Sequence, residues 1–367
     1  GPSTLGHAFL YFNQNFAKSM ELALHPVSVV TTTRTGRGLV TARHVRAGET
    51  LLVSEPAAMS VHRKHLSLVC SACARFRARS ALQTRCTCGT YYCSDACCAA
   101  DAPLHAPHCA ALLSLSRDRA LKKEEASLVR LLFSALARAG TLRPNAPTLD
   151  DTMTLMADHA AVKGFKRRRR QRIAAARTFV ALQPPLRADH AAAAEEGCEL
   201  ERQLLRSPIF RSVRAVEAIL ARGPLNEFGL CDIDGEAAGC GFYPSAAMAN
   251  HSCVPTAAVR LERSSLVFIA LTDLCEGTEV TFSYANLRGD GGVDRAENLE
   301  LSWNFVCACE RCRLAPGPSA ARSRVDAFDA LHVCVCGNVS HLPRGACRCG
   351  QFNALPDAVG AAALLVH

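Results

Sequence analysis

Eight potential metal ligands lie within 40 consecutive residues, and their spacing constrains the fold more than any other feature of the sequence. They form the short pairs Cys70-x2-Cys73, Cys86-x-Cys88, Cys93-x3-Cys97 and His105-x3-Cys109. Zinc binds four sulfur or nitrogen ligands in a closed tetrahedron, and closely spaced pairs on tight turns suit that geometry. Eight ligands therefore predict two zinc sites that supply folding free energy rather than chemistry. Cys98 and His108 are alternatives to Cys97 and His105, although the x3 gap to Cys109 favours His105. A cluster of reduced core cysteines is the other interpretation, and the regular ligand spacing disfavours it.

Cysteine use in the rest of the chain indicates the same chemistry. The 367 residues include 20 Cys, most of them in short pairs, whereas secreted disulfide frameworks belong to small chains with a signal peptide. Residues 5–24 are apolar-rich, but Gln14, Asn15 and Lys18 interrupt them, so we predict an amphipathic surface helix rather than a signal peptide. No apolar run reaches the ~20 residues of a membrane span, so we expect no membrane association. Zinc in a reducing compartment is the better account of the cysteines, and we expect the protein in the cytoplasm, the nucleus or both.

Strand and turn signals flank a long helical middle part. Gly36 and Gly38 enclose Arg37, which indicates a tight turn with a close backbone approach, although a plain hairpin is the simpler alternative. Leucines recur near helical spacing through residues 110–222, so this part is predicted to be mostly helical. Strands are predicted at 27–33, 39–42, 50–54, 257–262, 265–271 and 279–284.

Five short motifs follow one another in a fixed order. They are Asn226-Glu227-Phe228, Gly241-Phe242-Tyr243, Asn250-His251-Ser252-Cys253, Thr281-Phe282-Ser283-Tyr284 and Cys307-Ala308-Cys309-Glu310-Arg311-Cys312. Together with the cysteine run near residue 90, this order resembles the SET and MYND domain (SMYD) family of protein-lysine methyltransferases. The resemblance covers residues 34–312, and its specificity lies in the order of the motifs rather than in any one of them.

The resemblance implies an α+β fold. Its centre is a SET-domain β-fold with knot-like C-terminal threading, an exception to the rule that chains do not thread loops. An inserted MYND zinc finger, a helical insert, a post-SET zinc site and a C-terminal zinc-ribbon-like segment complete it. The implied segments are an N-terminal helical segment 1–26, the first SET part 27–69, the MYND finger 70–109, the helical insert 110–222, the SET core 223–288, the post-SET segment 289–315 and the C-terminal segment 316–367.

The resemblance also implies how the zinc ligands are grouped. In a MYND finger the ligands interleave, so one zinc is implied at Cys70, Cys73, Cys93 and Cys97, and another at Cys86, Cys88, His105 and Cys109. Cys253 is implied as the fourth ligand beside Cys307, Cys309 and Cys312. Two matching knuckles predict a further, ribbon-type site at Cys334, Cys336, Cys347 and Cys349, for which His332 and His341 are substitute ligands. About four zinc ions are therefore expected.

The implied cofactor is S-adenosylmethionine, and the implied reaction is methylation of a lysine side chain in a protein substrate. Tyr284 matches the family's catalytic tyrosine, whose hydroxyl orients the amine and the methyl group. The cofactor contacts are implied at Arg37, Asn226, Asn250, His251, Tyr284 and Phe305. The walls of the lysine channel are implied at Phe228, Tyr243 and Trp303. An apolar aromatic channel suits this reaction, because burial disfavours the ammonium form of lysine.

Two other kinds of function fit parts of the sequence. An inert MYND/SET scaffold that binds proline-rich peptides is the main alternative, but the Asn250-His251 pair and Tyr284 favour the enzyme. The formal charge of +9 permits nucleic-acid binding without requiring it, so a basic zinc protein that binds DNA is a weaker alternative. The run Lys166-Arg167-Arg168-Arg169-Arg170 predicts an import signal, a nucleic-acid patch or a solvated basic helix face.

Overall fold

The architecture comes from a computed structural model of the chain. The structure describes residues 22, 24–32, 36–77, 80–118, 120–139, 152–153, 155, 164–185, 197–231, 237–284 and 292–313, and three short strands near the C-terminus. The chain divides into two compact units. The first unit comprises the described parts of Gly1–Ser54, Ser245–Leu261 and Ser265–Val366, and the second those of Glu55–Pro244 and Glu262–Ser264.

Strands and helices both contribute, in agreement with the predicted α+β class. The strands are β1 (Val27–Thr32), β2 (Gly36–Thr41), β3 (Thr50–Ser54), β4 (Ala58–Val61), β5 (Thr84–Arg85), β6 (Tyr91–Tyr92), β7 (Glu227–Cys231), β8 (Ala237–Phe242), β9 (Asn250–His251), β10 (Ala257–Glu262), β11 (Ser265–Ala270), β12 (Glu279–Phe282), β13 (His332–Val333), β14 (Val339–Ser340) and β15 (Ala363–Leu365). The helices are α1 (Asp95–His105), α2 (Cys109–Arg117), α3 (Lys123–Ala139), α4 (Phe165–Ala181), α5 (Glu199–Arg206), α6 (Val213–Leu220), α7 (Gly223–Asn226), α8 (Gly292–Trp303) and α9 (Glu310–Arg313). Among the helices described, none combines the length and apolar character that crossing a membrane requires.

The first unit contains a four-stranded sheet in the order β1-β2-β12-β9. β1 and β2 form an antiparallel hairpin, and Gly36 at its tip has a φ of +72°, which glycine adopts without a Cβ clash. β12 pairs with β9 in parallel, so Thr281 lies beside Asn250 and Phe282 beside His251. This register brings together two motifs that lie about thirty residues apart in the sequence.

A second sheet of the first unit forms most of its apolar core. β11 lies between β3 and β10, and β15 pairs in parallel with β10. Five of the six residues of β11 are buried, which is typical of a strand covered on both faces. Leu52, Leu266 and Phe268 are fully buried, and each such side chain contributes about 1.5–3 kcal/mol when it leaves water.

The second unit contains an antiparallel sheet in the order β7-β8-β4. A Cβ at Gly239 would lie 2.4 Å from the carbonyl oxygen of Ser60, so glycine is needed where β8 approaches β4. All four residues of β4 are buried. Helix α3 is bonded to this strand, because the Ser60 hydroxyl donates to the carbonyl oxygen of Ser127 at 3.1 Å.

Helices of the second unit pack around a line of phenylalanines. Ring centroids are 4.7 Å apart between Phe133 and Phe179, and 6.1 Å apart between Phe179 and Phe210. α4 also carries the basic run, whose successive residues turn by about 100° around the helix. The run therefore does not form one face, although its exposed members agree with a solvated helix surface. The exposed members are Lys166, Arg167, Arg169 and Arg170.

Most predicted elements are confirmed with small shifts at their ends. The strand expected at 39–42 begins earlier, at Gly36, because the glycine pair continues the hairpin instead of interrupting it. The described part of residues 110–222 is mostly helical, as predicted. The N-terminal helical segment 1–26 lies almost wholly outside the described residues. The knot-like threading after β12 stays a prediction, because residues 285–291 lie outside them too.

Candidate functional site

Two groups of four ligand atoms lie in the second unit. One consists of Cys70, Cys73, Cys93 and Cys97, the other of Cys86, Cys88, His105 and Cys109, and within each group all the atoms lie within 4.8 Å of one another. Local structure explains part of this placement. Ser94 caps α1 by accepting a hydrogen bond from the backbone N–H of Cys97 at 3.2 Å, and the Sγ atoms of Cys93 and Cys97 are 3.5 Å apart. The two groups interleave along the chain in the order that the family resemblance implies.

The distances between these atoms fit zinc. In a tetrahedral site with Zn–S bonds of about 2.3 Å, neighbouring sulfur atoms lie about 3.8 Å apart. The Sγ atoms of Cys73 and Cys93 are 3.7 Å apart, and Nε2 of His105 lies 3.3 Å from Sγ of Cys86. Sulfur and imidazole nitrogen are the ligands that structural zinc prefers, so both groups can hold this ion.

The two alternative ligands stand outside these groups. His108 is 2% exposed, and its ring lies 5.4 Å from that of Phe133. Burial lowers the pKa of His108 to about 4, so its ring is neutral inside the core. Cys98 is one residue further along α1 and belongs to neither group. The structure therefore favours Cys97 and His105 as the ligands.

A third ligand group lies in the first unit and joins two distant segments. Cys253 follows β9, whereas Cys307, Cys309 and Cys312 lie before and within α9. The Sγ atom of Cys253 is 3.9 Å from that of Cys307, 54 residues later, and 3.6 Å from that of Cys312. Cys253 is fully buried. These distances also fit a tetrahedral zinc site, with Cys253 in the place of the fourth ligand.

His251 connects this third group to Tyr284. The backbone N–H of Tyr284 donates to Nδ1 of His251 at 3.0 Å, and Nε2 of His251 lies 3.2 Å from Sγ of Cys253. Since a backbone N–H can only donate, Nδ1 must be the unprotonated nitrogen, and the neutral ring carries its proton on Nε2. His251 therefore accepts from Tyr284 and donates to Cys253 through opposite sides of one ring.

Tyr284 is held at its hydroxyl group as well as at its backbone. The hydroxyl donates to the carbonyl oxygen of Ala249 at 2.8 Å. The ring of Tyr284 lies 5.4 Å from that of Trp303 and 6.3 Å from that of Phe305. Burial and, to a smaller extent, the Glu279 carboxylate raise the pKa of Tyr284, so its phenol is protonated at neutral pH.

Asn250 links the glycine turn to β12. Its Nδ2 donates to the carbonyl oxygen of Arg37 at 3.0 Å and to Oε1 of Glu279 at 2.9 Å. A Cβ at position 38 would lie 2.8 Å from the same Nδ2, so Gly38 makes room for this side chain. Burial lowers the pKa of Arg37, but an arginine remains charged at neutral pH. The close approach predicted from the two glycines is therefore to Asn250.

Three predicted site residues belong to the second unit. The rings of Phe228 and Tyr243 meet edge to face with centroids 5.7 Å apart. The Tyr243 hydroxyl donates to the carbonyl oxygen of Ser264 at 2.9 Å, and the Asn226 side chain donates to that of Arg222 at 2.7 Å. Phe228 and Tyr243, the two predicted channel walls of this unit, are thus in contact. Their roles and that of Asn226 stay predictions.

The predicted C-terminal zinc site lies outside the described residues. Its ligands are Cys334, Cys336, Cys347 and Cys349. Only the backbones of β13 and β14 are described nearby, and they pair antiparallel, with His332 opposite Ser340. The fourth zinc ion stays a prediction.

Glu279 is a site residue that the sequence analysis missed. It binds Asn250 and acts on the pKa of Tyr284, two of the predicted site residues. Its place follows from the pairing of β12 with β2, which sets Glu279 opposite Val40 near the glycine turn. Strand register is not readable from a single glutamate at the start of a strand, so no sequence signal marked this residue.

Comparison with known proteins agrees with this arrangement. Residues 36–285 match the SET domain family. The histone-lysine N-methyltransferase ASHR1 of Arabidopsis thaliana is 23% identical over 277 residues, which cover 76% of this chain and 53% of that protein. The human histone-lysine N-methyltransferase SMYD3 is 24% identical over 287 residues, covering 77% of this chain and 60% of SMYD3. The chain thus spans between half and two thirds of the length of these relatives.

A solved structure of the SET domain of LSMT bound to lysine and AdoHcy also aligns with the chain. It is 14% identical, and the alignment covers 89% of this chain and 64% of that structure. The TM-score is 0.36.

Proposed function

Because this chain belongs to the SET domain family, we propose that it is a protein-lysine N-methyltransferase of the SET and MYND type that uses S-adenosylmethionine. The names of its relatives ASHR1 and SMYD3 support that activity and that subgroup. The observation that carries the proposal is the placement of Tyr284. Its hydroxyl and its backbone N–H are both bonded to the segment from Ala249 to His251, beside the aromatic rings of Trp303 and Phe305.

Residues of the first unit fit the proposed cofactor. Arg37, Asn250, His251 and Phe305 would hold it, and Asn226 is the further contact that the family pattern implies. The described hydrogen bonds of Asn250 use its Nδ2, so its Oδ1 can accept from an amino group. The Phe305 ring, 5.8 Å from that of His251, adds an apolar surface. When bound, S-adenosylmethionine supplies a methyl group on a positively charged sulfur.

The aromatic residues would prepare the substrate lysine. A free lysine amine has a pKa of about 10.4 and is mostly protonated at neutral pH. An apolar surface formed by Tyr284, Trp303 and Phe305 disfavours the charged form and so favours the nucleophilic amine. Phe228 and Tyr243 are the further channel walls that the family pattern implies. Because the Tyr284 phenol stays protonated, its oxygen orients the amine by hydrogen bonding and does not act as a base.

Zinc would have two different roles in this protein. The two ions of the MYND finger would stabilise residues 70–109, as structural zinc sites do. The third, at Cys253, Cys307, Cys309 and Cys312, would fasten the segment that carries Trp303 and Phe305 to β9. The Nε2 proton of His251 then supports the Cys253 thiolate from outside the coordination sphere, a common way to orient a metal ligand.

The proposal includes finer features that family membership implies. The substrate is a protein with an accessible lysine, the protein acts in the cytoplasm or the nucleus, and the segment after β12 threads in the knot-like manner of SET domains. The arrangement around Tyr284 supports an enzyme over the inert scaffold for proline-rich peptides. An inert scaffold does not require a hydroxyl held by Ala249 beside an aromatic cluster.

A labelling experiment tests the proposal. The full chain is incubated with a protein lysate and isotopically labelled S-adenosylmethionine, and labelled lysines are located by mass spectrometry. We expect labelled lysine with the unaltered protein and a strong loss with Tyr284→Phe, which keeps the ring and removes the hydroxyl. If the unaltered protein binds the cofactor but labels no lysine, the proposed activity is wrong.

A further inference from the structure

The second unit contains a groove with the character of a binding site. Its volume is about 280 Å³, close to the lower end of the range for small-ligand pockets. None of the residues assigned above to cofactor, lysine channel or zinc lines it. Its floor is apolar and is formed by Leu128, Leu131, Leu220, Pro224 and Phe242.

The mouth of this groove is basic. Three segments of the second unit contribute cations there: the turn after β4, the start of α3 and the first half of α4. The lysines and arginines of the lining are Arg63, Lys64, Lys123, Arg168 and Arg172, against the two glutamates Glu124 and Glu227. Arg172 is already paired with Glu217 at 3.2 Å, whereas Lys64 and Lys123 are exposed to solvent. The groove therefore combines an apolar floor with a rim that attracts anions.

Positive charge continues beyond the groove along α4. Arg168, Gln171 and Arg172 face the groove, because residues three and four positions apart share one side of a helix. The remaining residues of the basic run turn outward and are exposed. A small anion would use only the rim, whereas an extended acidic chain would also meet the outward cations of α4. The charge distribution thus favours an occupant longer than the groove.

The lining favours a peptide over a single-stranded nucleic acid. Proteins that bind single strands offer aromatic rings on which the bases stack. The one aromatic side chain besides His62 in this lining is Phe242, and it is 1% exposed. The half-buried side chains of Leu128 and Pro224 instead offer an aliphatic surface that suits the side chain of a leucine or a phenylalanine.

We propose that this groove docks an acidic segment of a partner protein that carries an apolar anchor residue. The anchor side chain enters the groove beside Leu128 and Pro224, the half-buried apolar residues of its lining. The flanking carboxylates meet Lys64, Lys123 and the basic surface of α4. A buried apolar anchor supplies most of the affinity in such an interface, and the surrounding charges raise the association rate and set the specificity.

Fluorescence anisotropy of the full zinc-loaded chain tests the proposal. The probe is a fluorescein-labelled octapeptide in which six glutamates flank a central Leu-Phe pair. We expect it to bind at least about tenfold more tightly than labelled octaglutamate, since only the peptide with the Leu-Phe pair can place an apolar side chain in the groove. The double variant Lys64→Glu/Lys123→Glu should weaken binding about tenfold, and rising salt should weaken binding to the unaltered protein.

Two further variants separate docking from general charge and from misfolding. Leu128→Gln, which removes the apolar contact without a charge, should weaken the peptide about fivefold and leave octaglutamate unchanged. Arg177→Glu reverses an exposed charge on the same helix outside the groove and should change neither affinity. Zinc content and melting temperature should match those of the unaltered protein.

Three results would overturn the proposal. The octapeptide binds no more tightly than octaglutamate, the groove variants bind it as the unaltered protein does, or an oligothymidylate displaces it at a lower concentration than unlabelled peptide. The last result would assign the surface to nucleic acid. The proposed methyl transfer would stand in each case, because none of the altered residues takes part in it.

Discussion

The two units contain ligand groups of the same kind, cysteine with or without histidine, but these groups connect different parts of the chain. All eight potential ligands of the second unit lie in residues 70–109, so zinc bound there would stabilise one local stretch of chain. The group of the first unit ties Cys253 to cysteines that lie 54 residues and more further along. A ligand group of the first kind stabilises a module, whereas one of the second kind fixes two distant parts of a site relative to each other.

The residues that contact the ligands also differ between the two units: they are local in the second unit and reach the predicted active site in the first. In the finger, the ring of Tyr92 lies 6.2 Å from that of His105, and its hydroxyl donates to Asp101 at 2.9 Å, so these contacts stay within the module. In the first unit, His251 contacts both the Cys253 thiol and the backbone N–H of Tyr284. The comparison predicts that damage near the finger lowers stability, and that damage near the third group alters cofactor binding and turnover.

The largest expected contrast is between two tyrosines. Tyr284→Phe removes a hydroxyl that would act at the transition state, so turnover should fall by about a hundredfold or more while cofactor affinity stays within about twofold. Tyr92→Phe in the finger removes the donor to Asp101 and should lower the free energy of unfolding by about 1–3 kcal/mol with near-normal turnover. Single-turnover kinetics and thermal unfolding of both variants measure these effects.

If Tyr284→Phe and Tyr92→Phe lose turnover equally, the proposed difference between the surroundings of Tyr284 and those of Tyr92 is wrong. Near-normal turnover of Tyr284→Phe would assign the central role to another group.

The next contrast is between two ligands, and the chain supplies its own reporter. Trp303 is the single tryptophan of the sequence, and it packs with the group that includes Cys253. Cys253→Ser should lose one zinc ion, shift Trp303 emission and weaken cofactor binding by about tenfold. Cys86→Ser should also lose zinc, but from the finger, with Trp303 emission unchanged. Elemental analysis and fluorescence excited at the tryptophan band measure both.

Full zinc content in Cys253→Ser would show that another residue closes the third site. The account of how β9 and the 303–312 segment are joined would then be wrong.

His251 allows a finer separation, because its two nitrogens have different partners. Asn places its amide near the position of Nδ1, so His251→Asn can still accept from Tyr284 but loses the donor to Cys253. His251→Gln keeps a donor near Nε2 and loses the acceptor. We expect His251→Asn to release the third zinc to a chelator about tenfold faster, and His251→Gln to retain zinc while turnover falls.

Trp303 emission during chelation follows the zinc release. Identical zinc release from both variants would mean that the Nε2 contact with Cys253 contributes nothing, and that His251 acts only through packing.

Much of this arrangement was predictable because metal ligation and motif order leave strong traces in a sequence. The spacing from Cys70 to Cys109 predicts two ligand groups, the family resemblance supplies their members, and β12 before Tyr284 follows from a strand signal after a turn. Contacts that depend on strand register were not predictable. Glu279 reaches Asn250 because β12 pairs with β9, and the basic groove arises from three segments that no local pattern connects.

The smallest contrast concerns two glycines that are needed for different reasons. At position 38 a Cβ would clash with the Asn250 side chain, because it would lie 2.8 Å from Nδ2. Gly89, between Cys88 and Thr90, has open space around it but a φ of +82°.

Gly38→Ala should displace the Asn250 side chain and weaken cofactor binding about fivefold, the equivalent of one hydrogen bond, with little change in unfolding temperature. Gly89→Ala should cost about 1–2 kcal/mol of stability through backbone strain and leave cofactor binding unchanged. Calorimetric titration with the cofactor and thermal unfolding of both variants decide the matter. If Gly38→Ala binds the cofactor normally, Asn250 is not a cofactor contact, and its bonds to Arg37 and Glu279 serve only to hold the sheet together.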